Sequence, residues 1–90
     1  MARHLKITGR VQGVGYRASF EAQARALRLR GWVRNRRDGS VEALVDGDED
    51  AVAQMVGWAH EGPPAARVDA VVLSEVDDPP GEGFAVLPTA

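Results

Sequence analysis

The hydrophobic pattern of this 90-residue chain changes its period across a glycine-rich stretch near the start. Leu5 and Ile7 alternate with polar neighbours, which predicts a strand with one buried face. Tyr16, Phe20 and Ala24 recur every four residues, which predicts one face of an amphipathic helix. Glycines in the connecting residues 9–15 permit a sharp bend of the backbone. The sequence therefore begins as a strand, a glycine loop and a helix.

The remainder of the chain alternates strand and helix signals in a fixed order. Asp38-Gly39 favours a tight turn between strands over residues 32–37 and 41–45, which predicts an antiparallel hairpin. Gly31 is expected to end the first helix, and Asp48 to cap a second helix that stops at Gly62. A fourth strand is predicted over 67–76, and a short edge strand over 84–87. The order is β-α-β-β-α-β, which predicts one α+β domain over residues 1–90 with both helices on one face of the sheet.

Composition narrows the chemistry and the compartment. There is no cysteine, which excludes disulfides and thiolate nucleophiles, and His4 and His60 are the only histidines. The sequence therefore predicts neither a metal site nor a cofactor. No apolar run approaches the roughly 18 residues of a membrane span, and no apolar stretch follows the first basic residues. We expect a cytoplasmic protein that does not bind membranes.

Charge is distributed unevenly along the chain. Residues 1–37 carry ten basic side chains and one acid, whereas residues 38–90 carry twelve acids and one arginine, Arg67. In one interpretation the two segments fold together and pair their charges. In the other, the basic segment creates a positive field for an anionic ligand. The two interpretations are compatible, and the sequence does not separate them.

The glycine loop itself admits three interpretations. A strand-to-helix turn can need glycine for its backbone angles alone. Residues 13–18 also fit a dinucleotide-binding pattern, but that pattern belongs to parallel βαβ units, and the hairpin after Gly31 argues against it. The third interpretation is an anion site, because a helix start offers unpaired N–H groups and Arg17 adds a planar fork of donors.

Two stretches carry a resemblance to a known family. Residues 9–17 (GRVQGVGYR) match the pattern G-x-V-Q-G-V-x-[FY]-R, and residues 31–41 (GWVRNRRDGSV) match G-[FYW]-V-x-N-x-x-x-G-x-V. Together they resemble the acylphosphatase family, and the specific part of the resemblance covers residues 9–47. The resemblance implies a ferredoxin-like sandwich with an antiparallel sheet.

The resemblance also implies a reaction and its residues. Such an enzyme hydrolyses the carboxyl–phosphate bond of small acyl phosphates, such as acetyl phosphate, carbamoyl phosphate or 1,3-bisphosphoglycerate, without a metal or cofactor. Arg17 would bind the phosphoryl group and Asn35 would position the attacking water. The phosphate would also contact the backbone of the loop residues Gln12, Gly13, Val14, Gly15 and Tyr16. We expect a monomer that binds no nucleic acid.

Other interpretations remain open for several of these residues. Asparagine near a hairpin, such as Asn35, often makes only local backbone hydrogen bonds. Ferredoxin-like domains also bind RNA, although Trp32 is the only aromatic residue that the central strands offer for base stacking. A similar domain within a larger enzyme is a further alternative, against which the length of the chain and its Met1 favour a free-standing protein. The aromatic residues expected in the core are Phe20, Trp32, Trp58 and Phe84. The histidines expected at the surface are His4 and His60.

Overall fold

The computed structural model describes residues 2–90. Within these residues the chain forms five strands and two helices in the predicted order. The elements are β1 (Ala2–Arg10), α1 (Tyr16–Ala26), β2 (Arg30–Asn35), β3 (Val41–Asp46), α2 (Glu49–Glu61), β4 (Arg67–Val76) and β5 (Phe84–Val86). Every predicted element is present, and the hairpin between β2 and β3 is confirmed.

The strands form one mixed sheet in the order β4-β1-β3-β2-β5. The pairs β1–β3, β1–β4 and β2–β3 are antiparallel, as predicted. β5 departs from that prediction because it runs parallel to β2, with Val86 opposite Val33. The reason is topological: β4 runs opposite to β2, and the connection over residues 77–83 reverses the chain. The local sequence of β5 indicates a strand but carries no information about its direction.

Both helices contribute to a single hydrophobic core against the sheet. Leu5 and Val33 project from the strands into this core and are fully buried. Phe20 of α1 meets Trp58 of α2 edge to face, with ring centroids 5.8 Å apart. Such an arrangement suits the quadrupoles of the two rings. The expected core positions of Phe20 and Phe84 are confirmed, while Trp58 packs against the core but is only partly buried.

The end of α1 differs from the sequence prediction. Gly31 was expected to stop the helix, but the helix ends at Ala26 and Arg28 adopts a left-handed conformation with φ 58°. Gly31 instead lies in β2, where a Cβ atom would overlap the carbonyl oxygen of Leu44. The glycine therefore permits close approach of β2 and β3. Arg28 bears the left-handed strain that glycine was expected to relieve.

The second helix begins and ends where predicted. Asp48 occupies the N-cap position, although its side chain makes no capping hydrogen bond, and Glu49 and Asp50 lie in the first turn. Acidic groups there interact favourably with the helix dipole. Gly62 follows the last turn with φ 68°. In residues 2–90, neither helix has the length and apolar character needed to span a bilayer.

The sheet face away from the helices carries a polar and aromatic cluster. Trp32 lies here rather than in the core, because its neighbour Val33 projects to the helix side and successive strand residues alternate. Arg34 places its guanidinium 4.9 Å from the Trp32 ring centroid. His4 lies partly exposed on the same face, and its Nε2 is 2.7 Å from Oε2 of Glu42, a partner that the sequence did not indicate. The prediction that Trp32 lies in the core is therefore wrong.

Candidate active site

The glycine loop between β1 and α1 has an unusual backbone. Gly13 and Gly15 both have left-handed conformations, with φ 73° and 80°. No atom lies within 4 Å of a Cβ placed at either position. Glycine is therefore favoured here by conformation rather than by lack of space. Left-handed residues in such a turn point successive N–H groups into a concavity that can bind an anion.

The N–H groups of this loop remain available. The first helical hydrogen bond of α1 joins the N–H of Ser19 to the carbonyl of Gly15 at 3.1 Å. In the described chain, the N–H groups of residues 13–18 have no backbone acceptor, and no side chain caps the helix at Gly15. The positive end of the helix dipole adds to their field. The loop and helix start together form a set of donors suited to an oxyanion.

Tyr16 fixes this helix start to the rest of the fold. Its side chain is buried, and Oη donates a 2.7 Å hydrogen bond to the carbonyl of Ala59 in α2. Its ring lies 5.4 Å from that of Trp58. Burial raises the pKa of the Tyr16 phenol above its ordinary value, so the group remains a neutral donor. Tyr16 therefore joins the start of α1 to α2 through its buried side chain.

Arg17 and Asn35 line the same cleft, although they lie eighteen residues apart in sequence. The cleft has a volume of about 280 Å³ and opens beside the glycine loop. Among residues 2–90, no carboxylate lies within 4.0 Å of the Arg17 guanidinium. The residues that line the cleft are Val11, Gln12, Gly13, Gly15, Tyr16, Arg17, Ala18, Glu21, Asn35 and Val86.

The backbone of Asn35 is hydrogen-bonded, whereas its side-chain oxygen has no partner. It closes the β2–β3 ladder opposite Val41, and its carbonyl accepts a 3.0 Å hydrogen bond from the N–H of Ala90. Its Oδ1 is buried, yet no donor in the described part of the chain reaches it. The Oδ1 atom of Asn35 therefore makes no local backbone hydrogen bond within residues 2–90. An unpaired buried amide oxygen costs stability and calls for a functional explanation.

Gln12 joins the glycine loop to the turn that follows Asn35. Its Nε2 donates to the carbonyls of Arg36, at 2.7 Å, and Ser40, at 2.9 Å. A primary amide has two N–H donors, so both are used. The side chain of Gln12 therefore holds the two halves of the cleft at a fixed separation.

Comparison with known proteins identifies the family. A family model described as acylphosphatase matches residues 3–86. An acylphosphatase of Azoarcus sp. (strain BH72) is 57% identical over 88 residues, which cover 98% of this chain and 90% of that protein. The chain belongs to the acylphosphatase family. The prediction that it is an acylphosphatase enzyme is thereby confirmed.

Two solved structures of acylphosphatases share this fold. The crystal structure of acylphosphatase from Bacillus subtilis has a TM-score of 0.90 and 35% identity, with 97% of this chain and 99% of that chain covered. The acylphosphatase structure from Coxiella burnetii has a TM-score of 0.91 and 36% identity, covering 96% and 90%. These matches confirm the predicted ferredoxin-like α+β fold. Family and fold together support acyl phosphate hydrolysis.

Four residues that line the cleft were not predicted as site residues, namely Val11, Ala18, Glu21 and Val86, and one predicted residue, Val14, does not line it. Val14 packs its side chain against the core and does not line the cleft, so a contact through its backbone stays a prediction. Glu21 reaches the cleft because it lies one helical turn after Arg17. Val86 reaches it through the parallel pairing of β5 with β2. Helical spacing could have indicated Glu21, but no local signal indicates Val86.

The basic segment is largely paired rather than gathered around the cleft. Arg34 and Arg36 lie 2.6 Å and 3.3 Å from Oε1 of Glu42. Desolvation raises the pKa of Glu42, but hydrogen bonds from His4 and Arg34 outweigh it and hold the pKa below its ordinary value. For these arginines, the structure favours charge pairing over the creation of a field for an anionic ligand.

Metal-ligating side chains do not cluster in the described chain. Over residues 2–90, no group of three or more His, Cys, Asp or Glu side chains is arranged to hold a metal ion. Glu21 is the one carboxylate in the cleft lining of this part of the chain, and it accepts a hydrogen bond from Arg25. The positive groups facing the cleft are therefore Arg17 and the loop N–H groups.

Proposed function

We propose that the cleft hydrolyses small acyl phosphates to a carboxylate and inorganic phosphate without a metal ion. The observation that carries this proposal is the meeting in one cleft of Arg17, the unpaired loop N–H groups and Asn35. Water attacks phosphorus, an oxygen–phosphorus bond forms, and the bond from phosphorus to the carboxyl oxygen breaks. The carboxylate leaves with its electron pair.

Arg17 and the loop bind the phosphoryl group. The guanidinium can donate two parallel hydrogen bonds to phosphoryl oxygens, and the N–H groups of Gly13 and Gly15 can donate to the same anion. Phosphoryl transfer depends mainly on positioning and on stabilising the charge of the equatorial oxygens. Donors fixed before the reaction supply that stabilisation without reorganising. The contacts assigned to the backbones of Gln12, Val14 and Tyr16 belong to the same proposal.

Asn35 positions the water in line with the leaving carboxylate. Its amide can donate and accept hydrogen bonds, and rotation about χ2 exchanges the two atoms. Its backbone is held by the β2–β3 ladder, so the amide has a fixed origin. Holding the nucleophile near phosphorus converts a collision into an intramolecular step, which lowers the entropic part of the barrier. An amide is not a base, so Asn35 acts by orientation.

Gln12 is a positioning residue in this mechanism. It touches neither the water nor the phosphoryl group through its amide nitrogen, because both N–H donors are bound to Arg36 and Ser40. Through those bonds it sets the distance between the phosphate-binding loop and the strand that carries Asn35. Small displacements of reacting groups reduce rates steeply.

The proton of the water passes to a phosphoryl oxygen of the substrate. Asn35 is an amide and Arg17 is a cation, so neither residue assigned to the reaction can act as the base, and the substrate's own phosphoryl oxygen takes the proton. A carboxylate is a good leaving group, so the reaction does not require strong general acid catalysis. The positive field of Arg17 and the loop replaces the charge that a metal ion supplies in other phosphoryl-transfer sites.

Phosphate release from acetyl phosphate tests the proposal. The assay is run with freshly purified protein in EDTA, then with added magnesium, and with ethyl phosphate as an alkyl phosphate control. We expect rapid release from acetyl phosphate, unchanged by EDTA or magnesium, and none above background from ethyl phosphate. Turnover that EDTA abolishes and magnesium restores would contradict the metal-free mechanism. Equal rates on both substrates would contradict the acyl phosphate assignment.

A further inference from the structure

The cleft is larger than the phosphoryl group requires. The cleft has a volume of about 280 Å³ and is open to solvent on one side. A phosphoryl group and one attacking water fill only part of this space. The acyl group of a bound substrate lies in or beside this remaining space, so the residues that line it contact the acyl group.

The lining beyond the phosphate-binding groups is partly apolar. Val86 is 40% exposed, and Ala18 follows Arg17 at the start of α1. Exposed aliphatic surface beside a polar site gains by contact with an apolar ligand. This part of the cleft therefore favours an acyl group with an apolar body, such as a short alkyl chain or an aromatic ring.

The same lining includes a negative charge. Glu21 lies one helical turn, about 6 Å along the axis, from Arg17, and its side chain is 31% exposed. It pairs with Arg25 rather than Arg17, with Nη2 to Oε2 at 3.0 Å. Arg25 also donates to the carbonyl of Phe84 and does not line the cleft. A ligand in the cleft therefore lies against Glu21, which is part of the lining, and not against Arg25, which is not.

We propose that Glu21 and Val86 are specificity-determining residues that select acyl phosphates with uncharged acyl groups. An acyl group bearing its own anion is hydrolysed less efficiently, because it lies near the negatively charged Glu21. This inference rests on the proposed hydrolysis of acyl phosphates at the same site. Of the substrates that the family resemblance implies, acetyl and carbamoyl phosphate satisfy the rule, and 1,3-bisphosphoglycerate does not.

A matched pair of substrates tests this selection. 4-Carbamoylbenzoyl phosphate and 4-carboxybenzoyl phosphate have nearly the same shape and differ by one negative charge far from phosphorus. We expect kcat/KM for the carboxylate to be roughly three- to tenfold lower, the scale of repulsion between unit charges at a partly solvated site. The ratio that follows from this is kcat/KM for the carbamoyl compound divided by kcat/KM for the carboxylate. Sodium chloride should bring this ratio closer to one, because salt screens the repulsion. Spontaneous hydrolysis of each compound is measured and subtracted.

Variants assign the effect to the two residues. Glu21→Gln should bring the ratio close to one, whereas Glu49→Gln, which removes an exposed charge from the first turn of α2, should leave it unchanged. Val86→Thr, which has the same shape, should lower kcat/KM for benzoyl phosphate more than for acetyl phosphate. A parent ratio near one, or a ratio that Glu21→Gln does not alter, would overturn the role of Glu21. Equal losses on both substrates in Val86→Thr would overturn that of Val86.

Failure of the selection and failure of the hydrolysis give different results. If the parent protein hydrolyses benzoyl phosphate without discriminating between the paired substrates, the inference fails and the proposed function stands. If the parent hydrolyses no acyl phosphate, both fail. If Glu21→Gln loses activity equally on both paired substrates, Glu21 is part of the reaction machinery and not a specificity residue.

Discussion

The two faces of the β2–β3 hairpin differ in whether their polar side chains have hydrogen-bonding partners. On the helix side, Asn35 has a buried oxygen without a donor among residues 2–90. On the open side, Glu42 contacts His4, Arg34 and Arg36 at distances between 2.6 and 3.3 Å. Asn35 and Glu42 are near neighbours, because Asn35 is paired with Val41 and Arg34 with Glu42 in the same ladder.

This difference separates structural from functional polar groups. The cluster around Glu42 has used its hydrogen-bonding capacity within the fold, so it stabilises the sheet and has little left for a ligand. Asn35 and Arg17 keep theirs, at a cost in stability that natural proteins accept at active sites. Unused capacity on rigid elements, rather than charge, therefore marks the site. The predictions below test this distinction, from the largest effect to the smallest.

Removing Arg17 should have the largest effect. Arg17→Ala should lower kcat/KM for acetyl phosphate by at least ~100-fold, because donors to developing charge contribute on this scale. Arg17→Lys should recover little, because an ammonium cannot reproduce the bidentate fork. Steady-state kinetics on both variants measure these effects. Arg34→Ala on the open face is the matched control, and its kcat/KM should stay within about threefold of the parent value. Near-normal activity in Arg17→Lys would contradict the argument that a bidentate fork is required.

Removing the Gln12 side-chain bonds should have a smaller effect, on kcat. Gln12→Met keeps the length of the side chain but cannot donate to Arg36 and Ser40, so the loop and Asn35 lose their fixed separation. We expect kcat to fall roughly tenfold, with inhibition by phosphate weakened less than threefold. Gln54→Met on the exposed face of α2 is the control. A Gln12→Met enzyme with normal kcat would show that the bridge is structural only.

Acid should destabilise the open face by protonating Glu42. Its pKa is lowered in the fold, so its stabilisation is present above the unfolded pKa of about 4.5 and is lost as pH falls through the lower folded value. Thermal unfolding between pH 7 and pH 2 should show a weaker acid dependence for Glu42→Gln than for the parent. A residual dependence should remain, because hydrogen bonds from Ser40 lower the pKa of Asp38 from 3.8 to about 2. Identical pH profiles would show that Glu42 is not protonated preferentially on unfolding.

Local sequence was sufficient to predict most of the fold and part of the site. Periodicity and turn residues together indicated the elements, and the two motifs made Arg17 and Asn35 candidates that the structure places in one cleft. Glycine was misread at Gly31, because the sequence does not distinguish a helix end from a close approach of two strands. Local turn preference lost to tertiary packing at that position, so Arg28 carries the positive φ.

The remaining features depend on contacts between distant segments. Val86 lines the cleft because a crossover after β4 pairs β5 with β2, and no residue near Val86 indicates that pairing. His4 and Glu42 meet across β1 and β3, so their hydrogen bond follows from sheet register. Trp32 lies on the open face because its neighbour Val33 points into the core, and successive residues of a strand point to opposite faces. Register and strand order are global properties, which a local pattern does not contain.

The most direct test compares kcat and melting temperature for Asn35→Ala and Glu42→Gln. Asn35→Ala should lower kcat about 100-fold while phosphate still binds and Tm stays within about 3 °C of the parent, because an unpaired buried oxygen is removed. Glu42→Gln should lower Tm by at least ~4 °C, the effect of losing about 1 kcal/mol in a domain of this size, while kcat stays within about threefold. The opposite pattern, in which Asn35→Ala unfolds more easily and retains its kcat, would contradict the assignment of Asn35 to chemistry and Glu42 to stability.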